Sequence, residues 1–133
     1  MADANRSWQP FFLSDDVPRP IGAYSPAVRA GDFVFISGQV PRDLRTGKLP
    51  GEDIQSQVRQ VLANVKEALA AAGATLDDVV SVTAYLKNVD DWTAFNDIYK
   101  ATFRAPYPTR TAIGSDLRGI LVEISAIAYV RRS

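Results

Sequence analysis

The chain of 133 residues contains no cysteine and no histidine. The absence of cysteine excludes disulfides, thiolate nucleophiles and zinc–thiolate sites. The absence of histidine excludes a Ser-His-Asp triad formed by this chain alone. A metal would need an all-oxygen site, and no cluster of carboxylates at suitable spacing occurs along the sequence. An enzyme of this composition must therefore move protons with carboxylates, tyrosine, lysine, backbone groups or water.

The chain also lacks a net charge and long apolar runs. Its 15 basic and 15 acidic side chains balance, so no general field attracts it to nucleic acid or anionic lipid. No segment approaches the roughly 18 uninterrupted apolar residues of a spanning helix. Residues 1–12 lack the basic and apolar regions of a signal peptide. We therefore predict a cytoplasmic protein with no nucleic-acid or membrane partner.

What the chain does contain is enough apolar residue for one core. Hydrophobic residues make up 47% of the sequence, and no linker, repeat or low-complexity tract divides it. We expect a single domain over residues 1–133, in which residues 1–9 form a loosely ordered N-terminal extension.

Two segments show the spacing of amphipathic helices. The first begins at Ile54, with Asp53 suited to the N-cap and Gly73 to the position after the helix end. The second, within residues 90–103, opens with an aspartate cap. Apolar side chains share one face of the first helix at Val58, Val61, Leu62, Val65, Leu69 and Ala72, and of the second at Trp92, Phe95 and Tyr99.

Strand patterns complete an α+β order of β-β-α-β-α-β-β. Strands are predicted at 26–30, 33–37, 79–86, 110–113 and 120–130, with an extra one near 11–13 and a loop over 40–53. Two helices cover only one face of such a sheet, yet strands 33–37 and 120–130 are apolar on both faces. A second copy of the chain would cover the other face, so we predict a homo-oligomer.

Arg110 lies in "PYPTRTAIG" (106–114), between two prolines and a predicted strand. It is either a surface or salt-bridge arginine, or a guanidinium that points into a pocket and holds an anion. The second interpretation gains weight because the chain offers no other obvious anchor for a substrate anion. A planar guanidinium binds carboxylate through two parallel hydrogen bonds, which lysine cannot imitate.

Glu123 lies inside the apolar run 120–130, where a buried carboxylate is costly unless it is paired or hydrogen-bonded. Glu123 therefore has two possible roles. It is a structural acid whose partner is a backbone group or an arginine, or it faces a pocket or a subunit interface and holds a water molecule. Burial logic alone does not decide between these two roles.

Four other positions are candidates only in combination. Ser37 and Gly38 end an apolar strand in "ISGQVP" (36–41), a place where a turn or bulge is usual. Tyr24 lies in a proline-glycine loop, where an aromatic ring more often packs than reacts. Asn96 lies in the middle of a predicted helix, where a solvated side chain is the usual explanation.

Three ordered motifs carry a more specific signal. P-x-G-x-Y-S and S-G-Q-x-P both occur within residues 19–41, and P-x-R followed by V-E-I-x-A-I-A spans residues 108–128. With the strand-helix segment 79–103 between them, they resemble the Rid family of reactive intermediate deaminases (YjgF-like proteins), from about Pro18 to Tyr129. The resemblance implies a chorismate-mutase-like fold, a mixed sheet with two helices on one face. It also implies a homotrimer with a central β-barrel and three active sites between subunits.

The resemblance further implies hydrolysis of 2-aminoacrylate and its imine tautomers to 2-keto acids and ammonia, without a metal or other cofactor. The partner is then a small imine or enamine carboxylate. The family's carboxylate-binding arginine corresponds to Arg110 and its water-holding glutamate to Glu123. The other pocket positions correspond to Tyr24, Ser37, Gly38, Asn96 and Ala112.

The sequence departs from the archetype around Arg110. Thr109 replaces an alanine, Ala112 replaces a cysteine, and the segment 111–122 is shorter. These changes leave the anion anchor but affect the pocket wall. Two alternatives therefore stay open: a deaminase of a larger enamine of the 2-aminomuconate type, and a trimeric ligand-binding or chaperone-like regulator without turnover.

Overall fold

The computed structural model describes residues 5–131. A six-stranded sheet has the order β1-β2-β3-β6-β4-β5, in which β4 and β5 run parallel and the other neighbouring strands run antiparallel. No helix in this range is long and apolar enough to cross a membrane. The strands are β1 (Gln9–Phe11), β2 (Ala27–Ala30), β3 (Phe33–Gln39), β4 (Val79–Leu86), β5 (Thr109–Gly114) and β6 (Val122–Tyr129), and the helices are α1 (Ile54–Ala71) and α2 (Trp92–Thr102).

The predicted element order is confirmed, and two strand boundaries are corrected. The extra strand lies two residues earlier than expected, because Gln9 pairs with Arg29 on β2. Gln9, the last residue of the expected N-terminal extension, belongs to β1, and residues 1–4 lie outside the described range. The last strand begins at Val122 rather than at residue 120, because the Leu121 amide donates to Gln57 Oε1 at 2.8 Å.

The helix ends show one correct cap and one wrong one. Asp53 has extended backbone and accepts a hydrogen bond from the Ser56 amide at 2.8 Å, and Gly73 follows α1 with φ at +82°. Asp91 holds the N-cap position of α2, but its side chain makes no capping hydrogen bond. A short 3-10 turn over Val89–Asp91 leads directly into α2, so Asp91 lacks the extended backbone that a capping side chain needs.

Both helices pack on one face of the sheet, as predicted. Their buried side chains meet the inward positions of the central strands, among them Val34, Val82 and Ile124. The opposite face keeps large apolar side chains exposed, with Phe33 at 43%, Phe35 at 42%, Val80 at 43% and Tyr129 at 39%. A face this apolar is typical of a surface that another chain covers, and the oligomer stays a prediction.

Buried amides on α1 hold the loop over 40–53, a feature that the apolar pattern did not reveal. Asn64 is 3% exposed and its Nδ2 donates to the carbonyl oxygens of Val40 and Arg42 at 2.9 and 2.8 Å. Gln57 Nε2 likewise donates to the Gly51 carbonyl at 2.9 Å. These amides satisfy loop carbonyls that would otherwise be buried without partners.

Asn64→Ala should lower the free energy of unfolding by about 1–3 kcal/mol, because two loop carbonyls lose their donor. Urea denaturation at fixed protein concentration measures this change. Gln55→Ala on the exposed side of α1 is the matched control and should leave the midpoint unchanged. Equal midpoints for the two variants would contradict a structural role for Asn64.

Candidate active site

Arg110 points from β5 toward α2 and is fixed there by four side chains. Its Cα pairs in register with that of Val82, a buried residue on the helix-covered face. The Arg110 Nη1 donates to Asn96 Oδ1 at 2.9 Å. Its guanidinium carbon lies over three aromatic rings, 4.6 Å from the centroid of Tyr99, 4.7 Å from that of Trp92 and 5.6 Å from that of Phe95. The structure thus brings together two predicted site residues, Arg110 and Asn96.

The charge of Arg110 is not neutralised within the described residues. No carboxylate among residues 5–131 forms an ion pair with this guanidinium. The Tyr99 phenol does not supply a negative charge, because burial raises its pKa and the positive charge of Arg110 only partly opposes that rise. Asn96 occupies one guanidinium nitrogen, so the Nε and Nη2 edge is free to hold an anion by two parallel hydrogen bonds.

A cleft of about 330 Å³ opens beside Arg110. Its lining consists of Asn96, Tyr99, Lys100, Tyr107, Pro108 and Arg110. Lys100, Tyr107 and Pro108 line the cleft without having been predicted from the sequence. The available signal was spacing: Lys100 follows Asn96 by four residues on α2 and therefore shares its face, and "PYP" precedes β5 directly.

A second group of predicted residues lies where β3 and β6 meet. Gly38 is so close to the Glu123 carboxylate that a Cβ at position 38 would collide with Oε2 and lie 3.1 Å from Cδ. Gly38 and Tyr24 line one further cleft, of about 430 Å³. The Ser37 hydroxyl donates to the Ser25 carbonyl oxygen at 2.6 Å, which ties β3 to the loop carrying Tyr24. Tyr24, Ser37, Gly38 and Glu123 thus form one neighbourhood.

Gly38→Ala should displace the Glu123 carboxylate, because the added methyl group would occupy its place. If Glu123 acts in catalysis, a displacement of this size should lower activity by about 10-fold to 100-fold. Turnover assays on Gly38→Ala, Glu123→Gln and the double variant test this coupling. The double variant should be no less active than Glu123→Gln, whereas fully additive losses would show that Gly38 acts independently of Glu123.

One chain does not bring the two groups together. Glu123 pairs with Tyr85 on β4, three residues from Val82, so its side chain lies on the face opposite that of Arg110. Two strand spacings and three residues of strand length separate the Cα atoms of Arg110 and Glu123, or roughly 14 Å. A site that uses both side chains therefore needs a second copy of the chain.

Ala112 lies beside the Arg110 cleft rather than in it. It shares the helix-covered face of β5 with Arg110 but lines an apolar groove together with Val89, Trp92 and Gly114. The ring of Trp92 lies between this groove and the Arg110 guanidinium. The alanine that replaces the archetypal cysteine therefore adds no polar group to the surroundings of the Arg110 guanidinium.

Within residues 5–131, no three histidine, cysteine, aspartate or glutamate side chains converge as metal ligands would. The Arg110 cleft supplies a guanidinium, an amide, an ammonium and phenol hydroxyls, and the separate group around Gly38 supplies the Glu123 carboxylate and the hydroxyls of Ser37 and Tyr24. Such a set can bind an anion and orient a water molecule.

Fold and site together define a small α+β domain with an arginine beside a cleft at the edge of its sheet, where no carboxylate of residues 5–131 pairs with it. The family model described as Endoribonuclease L-PSP matches residues 14–130. A RutC family protein of Pyrococcus horikoshii is 45% identical over 119 residues, 88% of this chain and 94% of that protein. The 2-iminobutanoate/2-iminopropanoate deaminase of Dermatophagoides farinae is 36% identical over 115 residues, 85% of this chain and 90% of that protein. The crystal structure of Escherichia coli TdcF with bound serine matches with a TM-score of 0.80 at 34% identity, over 92% of this chain and 98% of that one.

The chain belongs to the Endoribonuclease L-PSP family, which is the Rid (YjgF-like) family indicated by its motifs. The chorismate-mutase-like fold expected from the resemblance is confirmed by the mixed sheet, the two helices on one face and the structural neighbours.

Proposed function

We propose that this protein is a cofactor-independent hydrolase of small imines and enamines, of the 2-aminoacrylate and 2-iminopropanoate type, which it converts to 2-keto acids and ammonia. The Arg110 guanidinium is the observation that carries the proposal. Asn96 and the rings of Trp92 and Tyr99 hold it in place, and no carboxylate of the described residues neutralises it. A fixed, uncompensated guanidinium at a cleft suits a substrate carboxylate.

Two relatives support this substrate class. One is named as a deaminase of 2-iminobutanoate and 2-iminopropanoate, both of which carry a carboxylate beside a C=N bond. The other, E. coli TdcF, has been crystallised with bound serine, an amino acid with the same carboxylate position. A carboxylate held by Arg110 would place the C=N carbon of such a ligand within the same cleft.

The chemistry needs little from the protein because an iminium carbon is already electrophilic. An enamine such as 2-aminoacrylate first takes up a proton at its terminal carbon and becomes the iminium. A water oxygen then bonds to the iminium carbon as the C=N π electrons move to nitrogen, one water proton passes to a base, and a carbinolamine forms. The nitrogen then takes up a proton, the C–N bond breaks and ammonia leaves. Loss of the hydroxyl proton completes the 2-keto acid. The site must fix the carboxylate, orient one water molecule and relay protons, and Glu123 is the group suited to the last two tasks.

The active site in this proposal lies between copies of the chain, in a homotrimer. Arg110 and Glu123 occupy opposite faces of one sheet, so a complete site takes Arg110 from one copy and Glu123 from the next. The exposed aromatic face around Phe33, Phe35 and Tyr129 supplies an apolar surface for such an assembly. Light scattering should give three times the chain mass, and a monomer at micromolar concentration would overturn this part of the proposal.

RNA cleavage, to which the family description refers, has little support in this chain. The 15 basic and 15 acidic residues leave no surplus charge for a phosphate backbone. The absence of histidine removes the usual proton-transfer group near neutral pH. The cytoplasmic location predicted from the sequence fits either activity and does not distinguish them.

The deaminase proposal is tested by an imine trap. A pyridoxal-phosphate-dependent dehydratase acting on serine generates 2-aminoacrylate, and semicarbazide traps the imine as a semicarbazone. Adding the protein should reduce the semicarbazone yield in proportion to its concentration. An unchanged semicarbazone yield would contradict the deaminase proposal. If serine or pyruvate still binds to the protein, that result would favour the ligand-binding regulator without turnover.

A further inference from the structure

The cleft beside Arg110 contains a second positive charge that the proposed reaction does not use. Lys100 lines this cleft, and no acidic side chain does. The Lys100 ammonium makes no ion pair within residues 5–131. Asp97, its acidic neighbour on α2, neither pairs with it nor lines the cleft. A substrate with a single carboxylate would neutralise one of the two cations and leave the other unpaired.

The position of Lys100 is set by the same helix that holds Arg110. Asn96, the hydrogen-bond partner of Arg110, lies four residues before Lys100, so the two side chains are neighbours on one face of α2. The Asn96 amide thus fixes the guanidinium at one point, and Lys100 lines the cleft one helical turn further on. Lys100 is exposed, which leaves its flexible stem free to follow a ligand.

The rest of the cleft lining is uncharged and suits the short carbon chain of a small ligand. It consists of Asn96, Tyr99, Tyr107 and Pro108. The apolar groove that holds Ala112 lies on the other side of Trp92 and offers no cation to a second anionic group. Charge therefore distinguishes the Lys100 side of Arg110 from the Ala112 side.

We propose that the cleft takes dicarboxylic ligands, with Arg110 on the carboxylate beside the C=N carbon and Lys100 on the distal carboxylate. This inference rests on the proposed function for the reaction itself and names its substrate class: imines of acidic amino acids and dicarboxylic enamines of similar length. Lys100 is a specificity-determining residue in this scheme and takes no part in proton transfer.

Equilibrium binding tests the inference without relying on turnover. Succinate and butyrate, which have four carbons each and differ by one carboxylate, are titrated into the full-length protein at low ionic strength and followed by NMR. Succinate should bind about sixfold to tenfold more tightly, because one exposed charge pair contributes about threefold to fivefold and its two equivalent carboxylates a statistical factor of about two. The preference should shrink as salt is added.

Three variants test whether Lys100 causes the preference for succinate over butyrate. Lys100→Gln should bind succinate only about twofold more tightly than butyrate, the statistical factor of two equivalent carboxylates, with the butyrate affinity unchanged. Lys48→Gln, an exposed loop lysine remote from the cleft lining, should keep the wild-type preference. Arg110→Ala should lose binding of both anions.

The outcomes separate this inference from the proposed function. A wild-type preference of no more than about twofold, or a preference that is undiminished in Lys100→Gln, would overturn the inference and leave the Arg110 site standing. A Lys100-dependent preference without any imine hydrolysis would support the dicarboxylate site and overturn the deaminase. Failure of the wild type to bind either anion would overturn both.

Discussion

Arg110→Ala should lower kcat/KM for imine hydrolysis by about 100-fold to 1000-fold, equivalent to about 3–4 kcal/mol of lost stabilisation. The loss should appear mainly in KM, because the guanidinium anchors a carboxylate that is present in substrate and transition state alike. Turnover is measured with the semicarbazide trap over a range of imine concentrations, after subtraction of spontaneous hydrolysis.

Two variants show whether Arg110 acts through the paired N–H groups of its planar guanidinium or only through its positive charge. Arg110→Lys keeps the positive charge but cannot form two parallel hydrogen bonds, so it should recover only a small part of the activity. Arg104→Ala is the matched control, because Arg104 is an exposed arginine that pairs with Asp77 away from the cleft. Full activity in Arg110→Ala, or equal losses in both alanine variants, would show that Arg110 does not bind the substrate carboxylate.

Glu123→Gln should lower kcat by about 100-fold to 10,000-fold and leave KM nearly unchanged, because an amide can still hydrogen-bond a water molecule but cannot accept its proton. The substitution preserves the shape of the side chain beside Gly38. The semicarbazide trap, followed over a range of imine concentrations, measures kcat and KM. Circular dichroism and gel filtration check that the fold and the assembly are intact. A kcat equal to that of the wild type would remove Glu123 from the mechanism.

Mixing the two inactive variants tests where their side chains meet. Refolding equal amounts of Arg110→Ala and Glu123→Gln together should restore about a quarter of the wild-type sites if each site takes its arginine and its glutamate from different copies. No recovery is possible if one chain supplies both groups. This result follows from the placement of the two side chains on opposite faces of the sheet.

The element order was predictable because each segment carries its own signal. The apolar spacing after Ile54, the aspartate before it and the glycine after it agree on one helix, and the structure has α1 at Ile54–Ala71. The strand predicted over residues 79–86 has the bounds of β4, but a register shift between Val79 and Ser81 buries Val79 and exposes Val80, so the alternation holds only from Ser81 onward. Local signals of this kind depend on neighbouring residues only, so one sequence suffices to interpret them.

Boundaries and caps that depend on distant partners were predicted less well. The first strand was placed too late because its register is set by pairing with β2, not by the apolar run at residues 11–13. The Asp91 cap was wrong because a 3-10 turn precedes α2. The buried amides Gln57 and Asn64 went unnoticed because their partners are loop carbonyls that periodicity does not describe.

The sequence by itself determined the family, the α+β element order and the identity of the candidate residues, because ordered motifs and local periodicity carry that information. Only the tertiary structure decided what Arg110 touches: the amide of Asn96, the rings of Trp92 and Tyr99, and a cleft shared with Lys100. It also decided that Glu123 lies against Gly38 on the other face of the sheet. The reason is that strand register and helix packing set which side chains meet, and both arise from contacts between residues far apart in the chain.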